Sequence, residues 1–249
     1  MNWPYPRYIA HRGGGRLAPE NTLAALRAGH RRGYRMVEFD VMLSRDEVPM
    51  LMHDETLERT SSGHGLVCEQ DAAALAGLDA GAWFGTEFAG EPVPRLDQAA
   101  ALCRWLGLAA NVEIKPAQGF EALTGRIVAA QAAQLWAGAE LPPLLSSFSI
   151  VALWEARAVA PQLPRALLFD EVPADWRGLQ ERMGAVALNC SARHLRADTL
   201  ATARAAGIPV ACWTVNDVAL AGQLFAAGVS ALFTDALDVF DPAADRRDA

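Results

Sequence analysis

The sequence lacks long apolar runs and closely spaced cysteine pairs. Its four cysteines, Cys68, Cys103, Cys190 and Cys212, are far apart and form no Cys-x-x-Cys motif, which is typical of ordinary thiols in a reducing compartment. The first ten residues contain two prolines and no hydrophobic segment of the secretory type, and no later run is long enough to span a bilayer. We therefore expect a cytoplasmic protein without stable membrane anchoring.

Positive charge is also scarce. The chain has 22 Lys and Arg against 29 Asp and Glu, a formal net charge of -7, which argues against a broad nucleic-acid surface but leaves room for a local basic pocket. Hydrophobic residues make up 52% of the 249 positions and charged residues 20%, enough to bury one large core. We expect a single domain over 1–249, a length that suits an eight-stranded α/β barrel.

Alternating strand and helix patterns predict eight parallel strands. We place them at 7–11, 36–43, 109–115, 144–148, 166–169, 185–189, 210–215 and 231–233. The predicted helices between and after them are 22–32, 96–106, 123–136, 150–159, 176–183, 196–206 and 218–227. These elements predict a (β/α)8 TIM barrel, with a doubly wound open sheet as the alternative.

The segment after the second strand departs from this alternation. Residues 48–53 follow strand 36–43 after only four residues, whereas a parallel crossover needs about a dozen, so we predict an antiparallel hairpin. Periodicity then lapses over 54–95, where glycine and proline recur. A plain loop of roughly 40 residues is unusual in a compact domain. We therefore predict a small insertion lobe with a short helix around 69–75.

Charged side chains fall at several predicted strand ends. Glu38 and Asp40 share one face of their strand because side chains alternate with a period of two, and Glu113 and Lys115 do the same. The carboxyl ends of parallel barrel strands meet at one rim. One cleft should therefore hold these six side chains: His11, Glu38, Asp40, His53, Glu113 and Lys115.

The residue types in this cleft suggest a chemistry. Three carboxylates without cysteine are a hard oxygen-ligand set, suited to Mg²⁺ or Ca²⁺, with Mn²⁺ as a third option, rather than Zn²⁺. The Arg12 guanidinium suits bidentate contact with a phosphate anion, and Lys115 supplies a point charge. His11 and His53 can exchange protons, since an unperturbed imidazole has a pKa of about 6.5. A structural ion-pair network is the alternative explanation of the charges.

The motifs at the strand ends extend over nearly the whole chain. In order they are His11-Arg12-Gly13, Pro19-Glu20-Asn21-Thr22, Glu38-Phe39-Asp40, His53-Asp54, Glu113-Ile114-Lys115, Ser147-Phe148, Trp213-Thr214-Val215-Asn216 and Thr234-Asp235. Together they resemble the glycerophosphodiester phosphodiesterase family. Within it, the chain is most similar to the short cytoplasmic bacterial enzymes linked to glycerol 3-phosphate uptake.

The resemblance implies a TIM barrel with an insertion after the second strand. It also implies metal-dependent hydrolysis of glycerophosphodiesters, which are deacylated phospholipids, to glycerol 3-phosphate and an alcohol. The family's functional positions match metal ligands Glu38, Asp40 and Glu113, acid/base residues His11 and His53, and phosphate-binding residues Arg12 and Lys115. Phe148 and Trp213 are candidates for lining the pocket, although Trp213 could instead fill the barrel interior.

Several alternatives stay open at the level of sequence. One is a related barrel phosphodiesterase that acts on lysophospholipid or phosphoinositide-type substrates, and another is a catalytically silent phosphate-binding barrel. The expected partner is a small-molecule glycerophosphodiester rather than a nucleic acid, and a homo-oligomer is compatible with the sequence. The sequence leaves open which head group is preferred, which divalent metal binds and which histidine is the base. It is also compatible with two routes: direct attack by water, or formation of a cyclic phosphate that water then opens.

Overall fold

Eight parallel strands form the centre of the molecule. The computed structural model describes residues 3–243, and the strands in this range are β1 (Tyr8–Ala10), β2 (Met36–Leu43), β3 (Pro49–Leu51), β4 (Ala109–Ile114), β5 (Leu144–Ser147), β6 (Arg165–Phe169), β7 (Ala187–Ser191), β8 (Val210–Trp213) and β9 (Ala231–Thr234). All but β3 run parallel. The sheet order is β1-β9-β8-β7-β6-β5-β4-β2-β3.

The sheet closes into a barrel. Strand β1 pairs in parallel with both β2 and β9, through Ala10 opposite Val37 and Ile9 opposite Phe233. Strand β3 stands outside the ring and pairs antiparallel with β2, so the predicted hairpin is confirmed. The TIM-barrel prediction is confirmed as well, because a doubly wound sheet would leave two open edges.

Helices on the outside of the barrel connect the strands. They are α1 (Leu23–Arg31), α2 (Ala72–Leu75), α3 (Leu96–Leu106), α4 (Glu121–Leu135), α5 (Ile150–Val159), α6 (Trp176–Met183), α7 (Ala197–Ala205) and α8 (Val218–Ala227). Thr22 caps α1 by accepting a hydrogen bond from the Ala25 N–H at 3.1 Å. In the described part of the chain, none of these helices has the length and apolar character needed to cross a membrane.

Several predicted boundaries were wrong by one or two residues: β8 ends at Trp213 rather than 215, and α4 begins at Glu121 rather than 123. The sixth barrel strand, β7, begins at Ala187 rather than 185, because Gly184 ends α6 in the left-handed conformation and the chain needs two residues to enter the sheet. The helix expected around 69–75 is split into a 3₁₀ turn, Val67–Glu69, and the short helix α2. Gln70 and Asp71 between them are extended, and Asp71 precedes α2 at the cap position that aspartate favours.

Residues 54–95 pack largely on the hairpin side of the barrel. Their buried apolar side chains, among them Leu57, Val67 and Leu75, join Met50 and Met52 in one cluster. Isolated bridges between Thr56 and Leu66 and between Asp79 and Pro92 tie the segment together. The assignment of this segment as an insertion lobe of a single domain stays a prediction.

The barrel interior is layered by the alternation of the strands. Near the amino ends it is filled by small and apolar side chains, including Ala166, Ala187, Ala211 and Ala231. Two residues further along four of the strands, the inward positions become polar at Glu38, Asn111, Ser146 and Asn189, whereas β6 and β9 place Leu168 and Phe233 there. The packed layer thus closes the bottom of the barrel, and the polar layer forms the floor of a cleft at the carboxyl ends.

Candidate functional site

A cavity of about 300 Å³ opens at the carboxyl ends of the strands. All nine predicted site residues line it: His11, Arg12, Glu38, Asp40, His53, Glu113, Lys115, Phe148 and Trp213. Six side chains that the sequence did not single out complete the lining: Asn111, Ser146, Leu168, Asn189, Thr214 and Phe233. The barrel therefore brings together residues from both ends of the chain, from His11 to Phe233.

Three acidic side chains, Glu38, Asp40 and Glu113, form a cluster of carboxylates in this cleft. Glu38 and Asp40 on β2 are 3% and 2% exposed, and the strand register places Asp40 opposite Glu113 on β4. One carboxylate oxygen from each of the three lies within 4.8 Å of the others. Burial and the neighbouring carboxylates raise the pKa of Glu38 well above its usual range and that of Glu113 to about 8.

The basic residues compensate this cluster only in part. The Lys115 ammonium lies 3.5 Å from an oxygen of Asp40 and 3.5 Å from one of Glu113. Burial alone would raise the pKa of Asp40, but the charges of Lys115, His53 and Arg12 hold it below its usual value. The Arg12 guanidinium lies 3.9 Å from Asp40 Oδ2, so two permanent cations face three carboxylates, and a further cation would complete the balance of charge.

Asn21 fixes the orientation of Asp40. Its Nδ2 donates to Asp40 Oδ2 at 2.8 Å, and its Oδ1 accepts from the Asp40 backbone N–H at 3.0 Å. Asn21 is 3% exposed and adopts a positive φ of 59°, a conformation that asparagine tolerates better than most residues. In the sequence, Asn21 is marked only by its place in the motif Pro19-Glu20-Asn21-Thr22, which does not predict its contact with Asp40.

His11 is held by a carboxylate from the far end of the chain. Its Nδ1 lies 2.7 Å from Asp235 Oδ1, and Asn216 donates from Nδ2 to Asp235 Oδ2 at 3.3 Å. Burial would raise the pKa of Asp235, but the hydrogen bond to His11 keeps it below its usual value. An ionised Asp235 accepts a hydrogen bond from the Nδ1–H of His11. The other ring nitrogen, Nε2, then lies on the side of the cleft, 3.9 Å from Glu38 Oε2.

His53 has a matching arrangement in the hairpin. Its Nδ1 lies 2.5 Å from Asp54 Oδ1, and the Arg59 guanidinium donates to both oxygens of Asp54. The hydrogen bonds from Arg59 lower the pKa of Asp54 below its usual value. Burial lowers the pKa of His53. His53, like His11, binds an aspartate through Nδ1 and has Nε2 left for the cleft.

Glu20 links the two sides of the site. Its carboxylate accepts from Arg12 Nη1 at 2.7 Å and from Arg59 Nη1 and Nη2 at 2.8 Å each. Burial would raise its pKa, but the hydrogen bonds and charges of these two arginines lower it. The loop after β1 and residues 54–95 are thus joined by a charged network that positions Arg12.

The backbone of the β1 loop also takes part. The Arg12 N–H donates to Glu38 Oε2 at 2.8 Å, with Arg12 at a positive φ of 50°. A side chain on Gly15 would lie 2.3 Å from the Asp235 carbonyl oxygen. Glycine is therefore needed there for the loop to approach Asp235, the residue that holds His11.

Polar atoms without partners concentrate in the cleft. Among residues 3–243, four buried side-chain polar atoms make no hydrogen bond: Arg12 Nε, Tyr34 Oη, Asn189 Oδ1 and Trp213 Nε1. Three of these four belong to residues that line the cleft. An unsatisfied buried polar group is costly, so the wall of this cleft contains more such groups than the rest of the described chain.

The donor set fits a divalent metal. Glu38, Asp40 and Glu113 offer only carboxylate oxygens, the ligands that Mg²⁺, Ca²⁺ and Mn²⁺ prefer. The raised pKa values of Glu38 and Glu113 reflect crowded negative charge that such an ion would neutralise. A structural ion-pair network would give each carboxylate its own close cation, whereas Asp40 and Glu113 share Lys115, with Arg12 Nε 3.9 Å from Asp40. The nearest basic group to Glu38 is the imidazole of His11, 3.9 Å away.

Comparison with known proteins assigns the family. A model described as the glycerophosphoryl diester phosphodiesterase family matches residues 11–239. The chain belongs to this family. The resemblance stated from the sequence is therefore confirmed, and the chain is classed with phosphodiesterases.

Individual relatives cover nearly the full length. A glycerophosphodiester phosphodiesterase of Caldanaerobacter subterraneus subsp. tengcongensis is 30% identical over 227 residues, 91% of this chain and 93% of the relative. The structure of an Oleispira antarctica phosphodiesterase in complex with the product sn-glycerol-3-phosphate is 36% identical, with a TM-score of 0.89 and 97% of each chain covered. A glycerophosphodiester phosphodiesterase structure from Agrobacterium tumefaciens is 28% identical, with a TM-score of 0.80 over 95% of this chain and 99% of that one.

Proposed function

We propose that this phosphodiesterase family member hydrolyses glycerophosphodiesters to glycerol 3-phosphate and an alcohol in a metal-dependent reaction. The observation that carries the proposal is the joint placement of three clustered carboxylates, two aspartate-bound histidines and the cations of Arg12 and Lys115 in one cavity. The product bound by the Oleispira antarctica relative, sn-glycerol-3-phosphate, supports the same substrate class for this chain.

Glu38, Asp40 and Glu113 are the residues that would hold the metal, for which Mg²⁺ or Ca²⁺, and as a third option Mn²⁺, suit the donors. A bound divalent ion supplies charge neutralisation for a phosphoryl oxygen. Asn21 keeps Asp40 in one orientation, so the ligand set is held before substrate binds. Such support of ligands by their neighbours is common in metal sites.

Arg12 and Lys115 are the phosphate-binding residues of the proposal. Arg12 Nη1 is engaged by Glu20, and Nε makes no hydrogen bond but lies 3.9 Å from Asp40 Oδ2, so the guanidinium is held at the edge of the carboxylate cluster, where an anion beside the metal would meet its charge. Lys115 lies beside the carboxylates and can meet the same anion as a point charge. Together they stabilise negative charge that develops on the phosphoryl oxygens during attack.

His11 and His53 share the proton transfers. Each donates its Nδ1 proton to an aspartate, so Nε2 is the atom that takes or gives a proton in the cleft. One histidine removes the proton of the attacking hydroxyl or water, and the other protonates the departing alcohol oxygen. The symmetry of the two histidine and aspartate pairs is compatible with either assignment and with either route of attack.

The remaining expectations concern partners and location. A cavity of about 300 Å³ suits a small molecule, and Phe148 and Trp213 contact each other at its mouth with ring centroids 5.7 Å apart. We propose that these two aromatic rings line the substrate pocket. A cytoplasmic location, no nucleic-acid partner and no stable membrane anchoring stay predictions from composition.

The proposal is tested by substrate and by variant. Glycerophosphocholine, glycerophosphoethanolamine and glycerophosphoglycerol are incubated with the protein in Mg²⁺ or Ca²⁺, and glycerol 3-phosphate is measured; lysophosphatidylcholine tests the lipid alternative. We expect release from the soluble diesters and its loss in Glu113→Gln but not in Glu140→Gln, an exposed control. Binding of glycerol 3-phosphate without turnover of any diester would instead identify a silent phosphate-binding barrel.

A further inference from the structure

A second cavity, of about 300 Å³, borders the cleft at the carboxyl ends of β6, β7 and β8. Six residues from the ends of these strands and the loops after them line it: Asp170, Ser191, Arg193, His194, Trp213 and Thr214. Trp213 and Thr214 also line the cleft, so the two cavities share a border. The other four residues have no part in the proposed chemistry.

The pleat of the strands explains why this cavity lies beside the cleft. Leu168 on β6 and Asn189 on β7 line the cleft. Asp170 and Ser191 come two residues later and continue the same faces toward the mouth, because side chains on one face of a strand recur at every second residue. A phosphodiester carries two ester arms, so one arm can extend past the shared border while the other stays in the cleft.

Opposite charges line the second cavity without pairing with each other. The Asp170 Oδ1 atom lies 3.0 Å from His194 Nδ1, and a carboxylate that accepts this one hydrogen bond keeps further acceptor sites. Between residues 3 and 243, Asp170 has no ion pair other than this contact, and Arg193 has none. Unpaired arginines are common on protein surfaces, but Arg193 lines a cavity that also contains a carboxylate.

The two charges together select a kind of head group. An ammonium alone would be attracted by Asp170 and repelled by Arg193, and a carboxylate alone would experience the reverse. A neutral polyol would gain from neither charge. A group that has both an ammonium and a carboxylate, as an α-amino acid does, meets both charges at once, and the planar guanidinium suits the carboxylate.

We propose that this cavity is the subsite for the leaving alcohol, and that Asp170 and Arg193 make it selective for a zwitterionic amino-acid head group such as serine. The inference rests on the proposed function, since it assumes a glycerophosphodiester whose phosphate lies in the cleft. The ammonium lies at Asp170 and the carboxylate at Arg193. The Asp170 side chain is 59% exposed and Arg193 is exposed as well, so solvent screening limits the selectivity to a few-fold.

The test uses diesters that differ by one charged group. Glycerophosphoserine and glycerophosphoethanolamine differ only in the carboxylate, and glycerophosphoglycerol has neither charge on its head group. The variants are Arg193→Gln and Asp170→Asn. Their matched controls, Arg27→Gln and Asp238→Asn, make the same changes in net charge at residues that line neither cavity. We expect the wild type to prefer glycerophosphoserine over glycerophosphoethanolamine by about threefold in kcat/KM at low ionic strength.

The two variants should change different ratios. Arg193→Gln should remove the preference for glycerophosphoserine over glycerophosphoethanolamine, and Asp170→Asn should lower kcat/KM for both amines relative to glycerophosphoglycerol. Both controls should keep the wild-type ratios, and the wild-type preference should shrink in about 0.5 M NaCl, which screens exposed charges. A wild type without the preference, an unchanged ratio in Arg193→Gln, or equal losses on all three diesters would overturn the proposal.

A binding measurement separates failure of the subsite from failure of the proposed function. If no diester is cleaved, the wild type and Arg193→Gln are titrated calorimetrically with glycerophosphoserine and glycerophosphoethanolamine. An affinity difference of about threefold in the wild type that disappears in Arg193→Gln would support the subsite although the proposed hydrolysis had failed. Equal affinities, or no binding of either diester, would reject the subsite as well.

Discussion

Replacing Asp235 by Asn tests how His11 is positioned. The Nδ1 to Oδ1 distance of 2.7 Å is in the range of a charge-assisted hydrogen bond, and such bonds contribute about 1.5–3 kcal/mol. The side chain of Asp235 is 37% exposed, so solvent screening places the effect in the lower part of that range. We therefore expect kcat to fall about 10- to 30-fold in Asp235→Asn.

The assay separates positioning from general damage. We expect KM to change by less than about threefold, because Asp235 supports a proton-transfer group rather than the phosphate. The midpoint of thermal unfolding should stay within about 3 °C of the wild type. Asp238→Asn is the matched control: Asp238 pairs with Arg16 at 2.8 Å in an exposed ion pair outside the cleft, and such pairs contribute little. A wild-type kcat in Asp235→Asn, or an equal loss in the control, would refute the reasoning.

The remaining predictions concern the rest of the network. His11→Ala and His53→Ala should each lower kcat by about 10² or more if the histidines transfer protons, whereas His64→Ala, at an 87% exposed side chain, should not; steady-state rates of the three variants decide. Glu20→Gln removes the charge that holds two guanidinium groups and should lower kcat/KM by about tenfold, which a wild-type value would contradict. The lowered pKa of Asp54 means that its contribution to stability is present above the unfolded-state pKa of about 3.9 and is lost as the pH falls through the folded-state value. Asp54→Asn should therefore destabilise the protein in urea at pH 7 and progressively less below about pH 4; an equal cost at both would show that the charge is not involved.

The fold was predictable because its signal is periodic. The barrel strands and helices recur at regular intervals, and the four-residue gap before the hairpin excluded a parallel crossover. The charged residues could be placed together because strand ends of a barrel share one rim, which brought Glu38, Asp40 and Glu113 to within 4.8 Å. Boundaries failed where a local backbone conformation decided them, as at Gly184 before β7.

The supporting residues could not be predicted from charge patterns. Asn111, Ser146 and Asn189 are neutral, so no charge marks them as site residues, and strand register across the barrel places Ser146 and Asn189 in the cleft. The alternation that grouped Glu38 with Asp40 would also have placed Asn111 on the face of Glu113, two residues away. Asp235 follows the last strand as His11 follows the first, but their contact depends on ring closure between β1 and β9.

The most direct test of the central claim is metal-restored hydrolysis. The protein is stripped with a chelator, dialysed and supplied with glycerophosphocholine, and glycerol 3-phosphate is measured before and after Mg²⁺, Ca²⁺ or Mn²⁺ is returned. The account predicts no release from the stripped protein and recovery with at least one of the three ions, because Glu38, Asp40 and Glu113 form an all-oxygen ligand set beside the phosphate-binding cations. Full release by the stripped protein, or no release with any ion, would contradict it.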